Sequence, residues 1–252
     1  MKYLLASAFL LSTFIGVSAQ VKTPMPPPVK VPFAESLQVV VVTTPNWTST
    51  TGTARLFERK TLKDKWKGNG EAFSVVVGRS GLDWSRDTAP EKVSEFKAEG
   101  DGKAPAGMFP LTFAFGSGVK SEAVTFPYKK LDDTTNCVDD VNSFHYNKVV
   151  GSLQVGIFDW KSSEKMLAVG AEYDLGMFVA HNTYPVRKGD GSCIFLHIWK
   201  DASTPTSGCT AMERANLERI LSWANPKNNP YLIQLPAGEY QKLTKAWNLP
   251  KL

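Results

Sequence analysis

The stretch GSCIFLHIWKDASTPTSGCTAM, residues 191–212, combines a short apolar run, a polar turn and a cysteine. Residues 193–199 are apolar, β-branched or aromatic, which predicts a buried strand that carries His197. Small and turn-forming residues follow and lead to Cys209. Thr210 and Glu213 have the spacing of a capping box, which predicts that a helix begins directly after this cysteine.

This arrangement is typical of a nucleophilic cysteine. A thiol pKa falls beside a helix N-terminus or a histidine, and we expect both influences on Cys209. His197 would act as its base, and the N–H groups of Gly208 and Cys209 would form an oxyanion hole. The alternative also stays open at this point, because an isolated cysteine is commonly a small buried apolar residue and a strand histidine a core residue.

The stretch resembles the catalytic signature of L,D-transpeptidases with a YkuD-type domain, in which a strand histidine precedes Ser/Thr-x-Gly-Cys. Here the tetrad is Thr206-Ser207-Gly208-Cys209. A second segment, KAEGDGKAPAGMFPL from Lys97 to Leu111, resembles the family element K-x-x-G-D-G-x-T-P-x-G-x-F, with Ala104 in place of threonine. The resemblance covers residues 37–235. Many members have His and Arg where this chain has Ser207 and Ala211.

The resemblance implies an acyltransferase that acts on the stem tetrapeptides of peptidoglycan. Cys209 would attack the carbonyl before the terminal D-alanine and form a thioester. His197 would move the protons, with its ring oriented by the backbone carbonyl of Ile198. An amine acceptor would then resolve the thioester. No metal or organic cofactor is implied, and carbapenems are expected to acylate Cys209.

Further residues are predicted to contact the substrate. Thr206 and Ser207 belong to the tetrad itself. Trp84 lies in a loop rich in turn residues and could line a groove. His181 and Asn182 end a predicted strand, residues 173–182, which a turn connects to the His197 strand. His181 is therefore either a structural residue or a contact near the site.

The chain divides into three predicted parts. Residues 1–19 have the positive start, apolar centre and small-residue cleavage site of a signal peptide. Residues 20–34 are a Pro-rich linker, which favours an extended, semi-rigid conformation. Residues 35–250 form the YkuD-like catalytic domain. We therefore expect export to the periplasm or cell envelope, with no membrane segment in the mature protein.

Net charge, cysteine content and the placement of aspartates bear on the partners, the disulfides and the metal binding that we expect. The net charge of +5 is mild, and no Lys/Arg-dense tract suggests a nucleic-acid partner. An exported protein with three cysteines is expected to keep one thiol free. We predict that Cys137 pairs with Cys193 and leaves Cys209 free; three unpaired thiols are the alternative. Aspartates at 132, 133, 139 and 140 fit no calcium loop and predict a solvated loop.

Several short strands separated by turn residues predict a mainly β, sandwich or barrel-like fold with a few short helices. The predicted strands are residues 37–43, 53–59, 73–78, 108–115, 173–182, 193–199 and 231–235. The apolar stripe of residues 211–224 predicts an amphipathic helix, and Thr210 would cap it.

Three rival functions are compatible with the same residues. An L,D-carboxypeptidase would use water in place of the amine acceptor. A papain-like peptidase is disfavoured, because its cysteine lies far upstream of its histidine. A non-catalytic wall-binding module would need neither the thiol nor the imidazole.

Overall fold

The structure, a computed structural model, describes residues 33–252. The predicted signal peptide and residues 20–32 of the predicted linker lie outside this range. The last two residues of that predicted linker belong to a 3₁₀ helix, Phe33–Glu35. The Phe33 ring stacks on Trp66 and meets Tyr231 edge-on, so this helix packs against the domain.

Strands dominate the described part of the chain. They are β1 (Gln38–Thr44), β2 (Thr51–Glu58), β3 (Lys67–Gly68), β4 (Phe73–Val76), β5 (Leu82–Trp84), β6 (Ala104–Gly116), β7 (Tyr128–Lys130), β8 (Thr135–Cys137), β9 (Val149–Gly151), β10 (Glu164–Lys165), β11 (Gly176–Val179), β12 (Phe195–Ile198), β13 (Thr210–Met212) and β14 (Tyr231–Pro236). The two α-helices are α1 (Arg214–Trp223) and α2 (Ala237–Leu243). Further 3₁₀ helices span Met166–Val169, Ala171–Tyr173 and Pro226–Asn228.

The main sheet closes on itself. Hydrogen bonding runs in the order β1-β14-β6-β11-β12-β13-β4-β2, and β2 pairs again with β1. β1 is the continuous apolar run QVVVVTT, and all seven of its residues are buried, as expected for a strand paired on both sides and covered on both faces. The mainly β prediction is therefore confirmed, with a closed barrel as its architecture.

Side chains along β12 point alternately into the barrel interior and to the outer face of the barrel. Leu196 and Ile198 belong to the barrel core, whereas Phe195 packs in a second buried cluster outside it. His197 follows the same outward direction as Phe195, because side chains alternate along a strand. β13 runs parallel to β12 and pairs Ala211 with His197, so Cys209, two residues earlier, projects to the same outer face.

Residues 131–173, here called the cover segment, pack over this outer face. The segment contains the small sheet β10-β8-β9 and contributes Leu131, Cys137, Met166 and Tyr173 to the second cluster. A disulfide joins Cys137 in β8 to Cys193 just before β12. Cys209 is the free cysteine of the chain. The predicted pairing is therefore confirmed, and it ties the cover segment to the barrel.

Two helix predictions need correction. Residues 210–212 pair with β12 and β4 as strand β13, and α1 begins only at Arg214, after an N-cap residue, Glu213, whose side chain makes no capping bond. Thr210 therefore does not cap a helix; its hydroxyl donates to Gln234 Oε1 at 2.6 Å. Helix α2 was not predicted.

The predicted strand over residues 173–182 is also too long. Only Gly176–Val179 is extended, and Tyr173 ends a 3₁₀ helix. β11 pairs antiparallel with β12, so the predicted neighbourhood of these two strands is confirmed. Within residues 33–252 no helix is both long and apolar enough to cross a bilayer.

Candidate active site

A cavity of about 340 Å³ lies between the outer barrel face and the cover segment. His197 and Ala211 line it from β12 and β13, and Cys209 lines it from the turn before β13. Glu164 and Tyr173 come from the cover segment, and Thr206 and Ser207 from the loop after β12. The structure thus brings the predicted nucleophile and base, together with Thr206 and Ser207 of the tetrad, to one cavity.

The His197 ring is held by its neighbour in sequence. Nδ1 lies 2.8 Å from the carbonyl oxygen of Ile198. A carbonyl oxygen only accepts hydrogen bonds, so Nδ1 carries the proton in the neutral ring and Nε2 is left as a proton acceptor. The Tyr173 ring packs edge-on against the imidazole at 5.2 Å between centroids. The ring is therefore fixed in the tautomer that a general base requires.

The Cys209 sulfur lies in a closely packed, mostly apolar setting. Sγ accepts from the Phe195 N–H at 3.4 Å and lies 3.5 Å from the Cys193 carbonyl oxygen, to which the thiol donates. Only 7% of the residue is exposed, although it reaches the cavity. The disulfide-bonded Cys193 thus supplies one of the direct partners of the free thiol.

Burial sets the ionisation of both groups. It raises the pKa of the Cys209 thiol to about 12 and lowers the pKa of the His197 imidazole to about 4, because desolvation disfavours whichever form is charged. At neutral pH the cavity is therefore lined by a neutral thiol and a neutral imidazole. The expectation of a thiolate stabilised by a helix N-terminus is wrong, since α1 begins five residues after the cysteine.

Thr206 organises the turn that presents the cysteine. Its hydroxyl accepts from the Gly208 N–H at 3.1 Å and donates to the Cys209 carbonyl at 2.6 Å. Gly208 has a φ of +155°, and a Cβ there would come within 3.1 Å of the Lys103 carbonyl oxygen. The Gly208 N–H is thus engaged within the turn, and of the two predicted oxyanion donors the Cys209 N–H remains the candidate.

Two cavity residues were missed by sequence reasoning. The Tyr173 hydroxyl donates to Glu164 Oε2 at 2.8 Å, and against the larger effect of burial its interaction with Cys209 acts to lower the pKa of the thiol. Burial raises the pKa of the Glu164 carboxyl to about 7. No local pattern marks either residue, because they reach the site only through the packing of the cover segment.

His181 and Asn182 do not line the cavity at Cys209. His181 is buried, with Nδ1 3.1 Å from Ser85 Oγ and Nε2 2.9 Å from the Asp190 carbonyl oxygen. Burial lowers its pKa to about 4. The Asn182 side chain bonds the backbone of Arg187 and Gly191. In the structure, His181 and Asn182 therefore make hydrogen bonds that shape the loop before β12, and they do not take the predicted positions at the substrate cavity.

Trp84 also lies away from the candidate site. It is buried in β5 among Trp47 and Trp247. The indole borders a separate, open depression on the protein, together with Asp83 and Lys92. The prediction that Trp84 lines the substrate groove at Cys209 does not fit this position, because the residue packs as part of the barrel core.

A closed β barrel with a cysteine and a tautomer-locked histidine at one cavity defines a candidate cysteine acyl-transfer domain. Comparison with family sequences agrees with this class: the YkuD model, the L,D-transpeptidase catalytic domain, matches residues 47–233. The chain belongs to the YkuD family.

Among solved structures, the chain is similar to the helical cell shape determining protein Pgp2 from Campylobacter jejuni. The sequence identity is 15% and the TM-score 0.37, over 81% of this chain and 51% of the other. This chain thus spans about half the length of that protein. No curated protein matches the chain in a sequence comparison.

Proposed function

We propose that this protein is an exported cysteine acyltransferase that acts on the stem tetrapeptides of peptidoglycan. The observation that carries the proposal is that Cys209 and His197 line one cavity, the histidine being held by the Ile198 carbonyl with Nε2 left as an acceptor. Membership of the YkuD family supplies the substrate class. Export to the periplasm or cell envelope is proposed from the sequence of residues 1–19.

In the proposed reaction, Cys209 Sγ attacks the carbonyl carbon that precedes the terminal D-alanine. The thiol proton passes to His197 Nε2 as the S–C bond forms, so the buried thiolate is never required as a free ground state. The protonated imidazole then gives this proton to the departing amine of D-alanine. The products of this half-reaction are a thioester on Cys209 and free D-alanine.

The second half-reaction regenerates the enzyme. The nitrogen of an amine acceptor attacks the thioester carbonyl and loses a proton to His197 Nε2. The S–C bond breaks, and the imidazole returns a proton to Cys209. General acid–base catalysis of this kind typically contributes about 10²–10⁴ in rate. The Cys209 N–H would face the developing oxyanion, where one such donor is typically worth about 10²–10³.

The lining of the cavity suits a peptide with charged groups. Val169 and Trp199 give it an apolar wall, and Glu172 and Lys200 place opposite charges along its lining. Thr206 and Ser207 complete the side next to the cysteine. We propose that the zwitterionic side chain of a stem-peptide diamino acid is held between these walls. Carbapenems are expected to acylate Cys209 through the same opening.

The test is product analysis on a purified tetrapeptide, with and without an added amine acceptor. Wild-type protein should release D-alanine and, when the acceptor is present, form the exchanged peptide. Cys209→Ala should abolish both products. His197→Ala should lower the rate by about 10²-fold or more, whereas the matched variant His145→Ala, in a histidine that bonds Ile157 far along the cover segment, should keep it.

Each outcome has a distinct meaning. Release of D-alanine without transfer to any amine would assign the protein as an L,D-carboxypeptidase with the same nucleophile. Unchanged release by Cys209→Ala would overturn the proposed mechanism. Absence of any conversion by folded wild-type protein would favour the wall-binding alternative.

A further inference from the structure

We propose that Tyr173 is a further catalytic residue, which donates a hydrogen bond to the sulfur of Cys209 as negative charge develops there, and that Glu164 is the residue that positions this hydroxyl. The inference rests on the proposed function, because it deepens the role of the same cysteine. It concerns residues of the cover segment, none of which belongs to the Thr206–Cys209 tetrad.

The geometry brings three polar side chains, Glu164, Tyr173 and Cys209, to one cavity. The Tyr173 hydroxyl lies 2.8 Å from Glu164 Oε2, and Tyr173 packs with Cys209 in the second buried cluster and lines the same cavity. The phenol ring is fixed by edge-on contacts with Phe115 and Phe195 at 5.5 and 5.4 Å. Its hydroxyl is therefore held at the carboxyl group, in the same cavity as the nucleophile.

In the proposed arrangement, the single Tyr173 O–H proton has two possible acceptors, the Glu164 carboxylate and the Cys209 sulfur. A phenol carries a single O–H, and both a carboxylate and a thiolate can only accept. When Glu164 is ionised, the Tyr173 proton is directed to the carboxylate and the sulfur loses a donor. When Glu164 is protonated, its own O–H donates to the phenol oxygen, and the Tyr173 O–H turns to the sulfur. The protonation state of Glu164 thus sets the direction of the bond at Cys209.

The surroundings of Glu164 favour its neutral form. Burial is the main cause that raises its pKa to about 7, and the charges of Asp139 and Glu99 add to it. The Tyr173 hydroxyl acts in the opposite direction. The ionised Glu164 in turn raises the pKa of the Cys209 thiol, whereas Lys97 lowers it. Near neutral pH, Glu164 is therefore divided between its two forms.

Asp139 strengthens the repulsion that keeps Glu164 neutral. Its Oδ1 is buried and has no hydrogen-bond partner among residues 33–252. Glu99 is occupied by the hydroxyls of Tyr146 and Ser192, and Lys97 by Asp101. None of these groups neutralises Glu164 directly, so the neighbour that shares its proton is Tyr173.

The first arm of the test measures alkylation of Cys209 by iodoacetamide between pH 6 and 9, in full-length protein whose Cys137–Cys193 disulfide is intact. This rate follows the thiolate fraction. Tyr173→Phe keeps the ring and removes the hydroxyl, and should slow alkylation about tenfold, since hydrogen bonds to charged groups are the strong ones. Tyr240→Phe is the matched control, because that buried hydroxyl bonds the Pro250 carbonyl in another part of the fold.

The second arm tests whether the protonation state of Glu164 sets the direction of the hydrogen bond that Tyr173 donates. In wild-type protein the rise of log rate with pH should flatten above about pH 7, as Glu164 ionises and withdraws the Tyr173 proton. Glu164→Gln cannot ionise, so its profile should rise without this bend and exceed wild type several-fold at pH 9. The gain should be smaller in the Tyr173→Phe background. Glu58→Gln, which alters a carboxylate bonded to Trp223, is the control and should keep the bend.

Equal alkylation profiles for wild type, Tyr173→Phe and Glu164→Gln would overturn the inference. If Tyr173→Phe fails to fold, the comparison of wild type with Glu164→Gln still decides it: a bend that persists in the Glu164→Gln profile overturns the inference. Failure of the proposed function is a separate result: wild-type protein would convert no tetrapeptide, yet the alkylation profiles would still report whether Tyr173 and Glu164 act on the sulfur.

Discussion

The thiol of Cys209 and the imidazole of His197 are both buried, and burial moves their pKa values in opposite directions, to about 12 and about 4. A preformed ion pair is therefore not the resting state of this site. In the proposed reaction, proton transfer therefore accompanies attack on the substrate, and the rate depends on how each of the two groups is oriented. The Ile198 carbonyl orients the imidazole, and Thr206 orients the turn before the cysteine.

Thr206 provides a test of that orientation. Thr206→Val keeps the shape of the side chain but removes the bonds to the Gly208 N–H and the Cys209 carbonyl. We predict a lower kcat by about tenfold or more and a loss of about 1–2 kcal/mol in the free energy of unfolding. Thr206→Ser should restore most of both. Unchanged kcat in the valine variant would show that the turn does not depend on this hydroxyl.

His181 gives a pH-dependent prediction that is independent of catalysis. Its folded pKa of about 4 lies below its ordinary value of 6.5, so the unfolded chain binds a proton that the folded protein excludes. The stability from this group is fully present above pH 6.5 and is lost as pH falls toward 4. His181→Asn should be less stable than wild type at pH 8, and the difference should shrink by up to about 3 kcal/mol at pH 4. Urea unfolding at several pH values measures it, and a constant difference would contradict the account.

Some site residues could be predicted from sequence and others could not. Cys209 and His197 lie in a local sequence pattern, a strand followed by a turn of small residues, and the structure contains this strand and this turn. The sequence predicts substrate contacts for His181, from its neighbouring strand, and for Trp84, from its turn-rich loop, yet buried hydrogen bonds and ring contacts account for both residues. Tyr173 and Glu164 were missed because their position depends on how a distant segment packs.

At the scale of elements, strand pairing prevails over local helix signals. Thr210 and Glu213 have capping-box spacing, but residues 210–212 gain partners on both sides as β13. The Thr210 hydroxyl bonds Gln234 inside the barrel, and the Gln234 side chain also bonds the Pro105 carbonyl. The sequence predicts the apolar face of α1 through Leu217, Ile220 and Leu221, whereas its start is decided by long-range pairing that no local spacing encodes.

Because strand pairing prevails over the capping-box signal, substitutions at Glu213 and Thr210 should have unequal effects on the free energy of unfolding. Glu213 is exposed and makes no capping bond, so Glu213→Ala should change the free energy of unfolding by less than about 0.5 kcal/mol. Thr210→Val leaves the buried Gln234 Oε1 without its donor and should cost about 1–3 kcal/mol. Chemical denaturation of both variants decides the matter. A larger loss in the Glu213 variant would support a capping box after all.

The disulfide gives a second prediction at this scale. Cys137 and Cys193 are 56 positions apart, and a loop of that length corresponds to about 4 kcal/mol of stabilisation in the chain-entropy model. The double variant Cys137→Ser/Cys193→Ser should lose an amount of this order in urea unfolding. Reductant should lower the stability of wild type to a similar degree and leave the variant unaffected. Equal unfolding midpoints for oxidised wild type and the variant would contradict this prediction.

At the scale of the whole molecule, the candidate site lies between the closed barrel and the cover segment. The closed barrel presents Cys209 and His197 on its outer face, and the cover segment contributes Glu164 and Tyr173 from the opposite side. The prediction of a barrel-like fold followed from strand spacing and turns. The closure of the sheet through β1 and β2, and the placement of the cover segment, depend on contacts between distant residues.

The most direct test is intact-protein mass spectrometry of wild type mixed with peptidoglycan tetrapeptide, followed by peptide mapping. The account predicts one added acyl group, equal in mass to the tetrapeptide without its terminal D-alanine, on the peptide that contains Cys209. Hydroxylamine should remove it, as expected of a thioester, and Cys209→Ala should never acquire it. Conversion of the tetrapeptide by Cys209→Ala, or an acyl group carried by a different residue, would contradict the account.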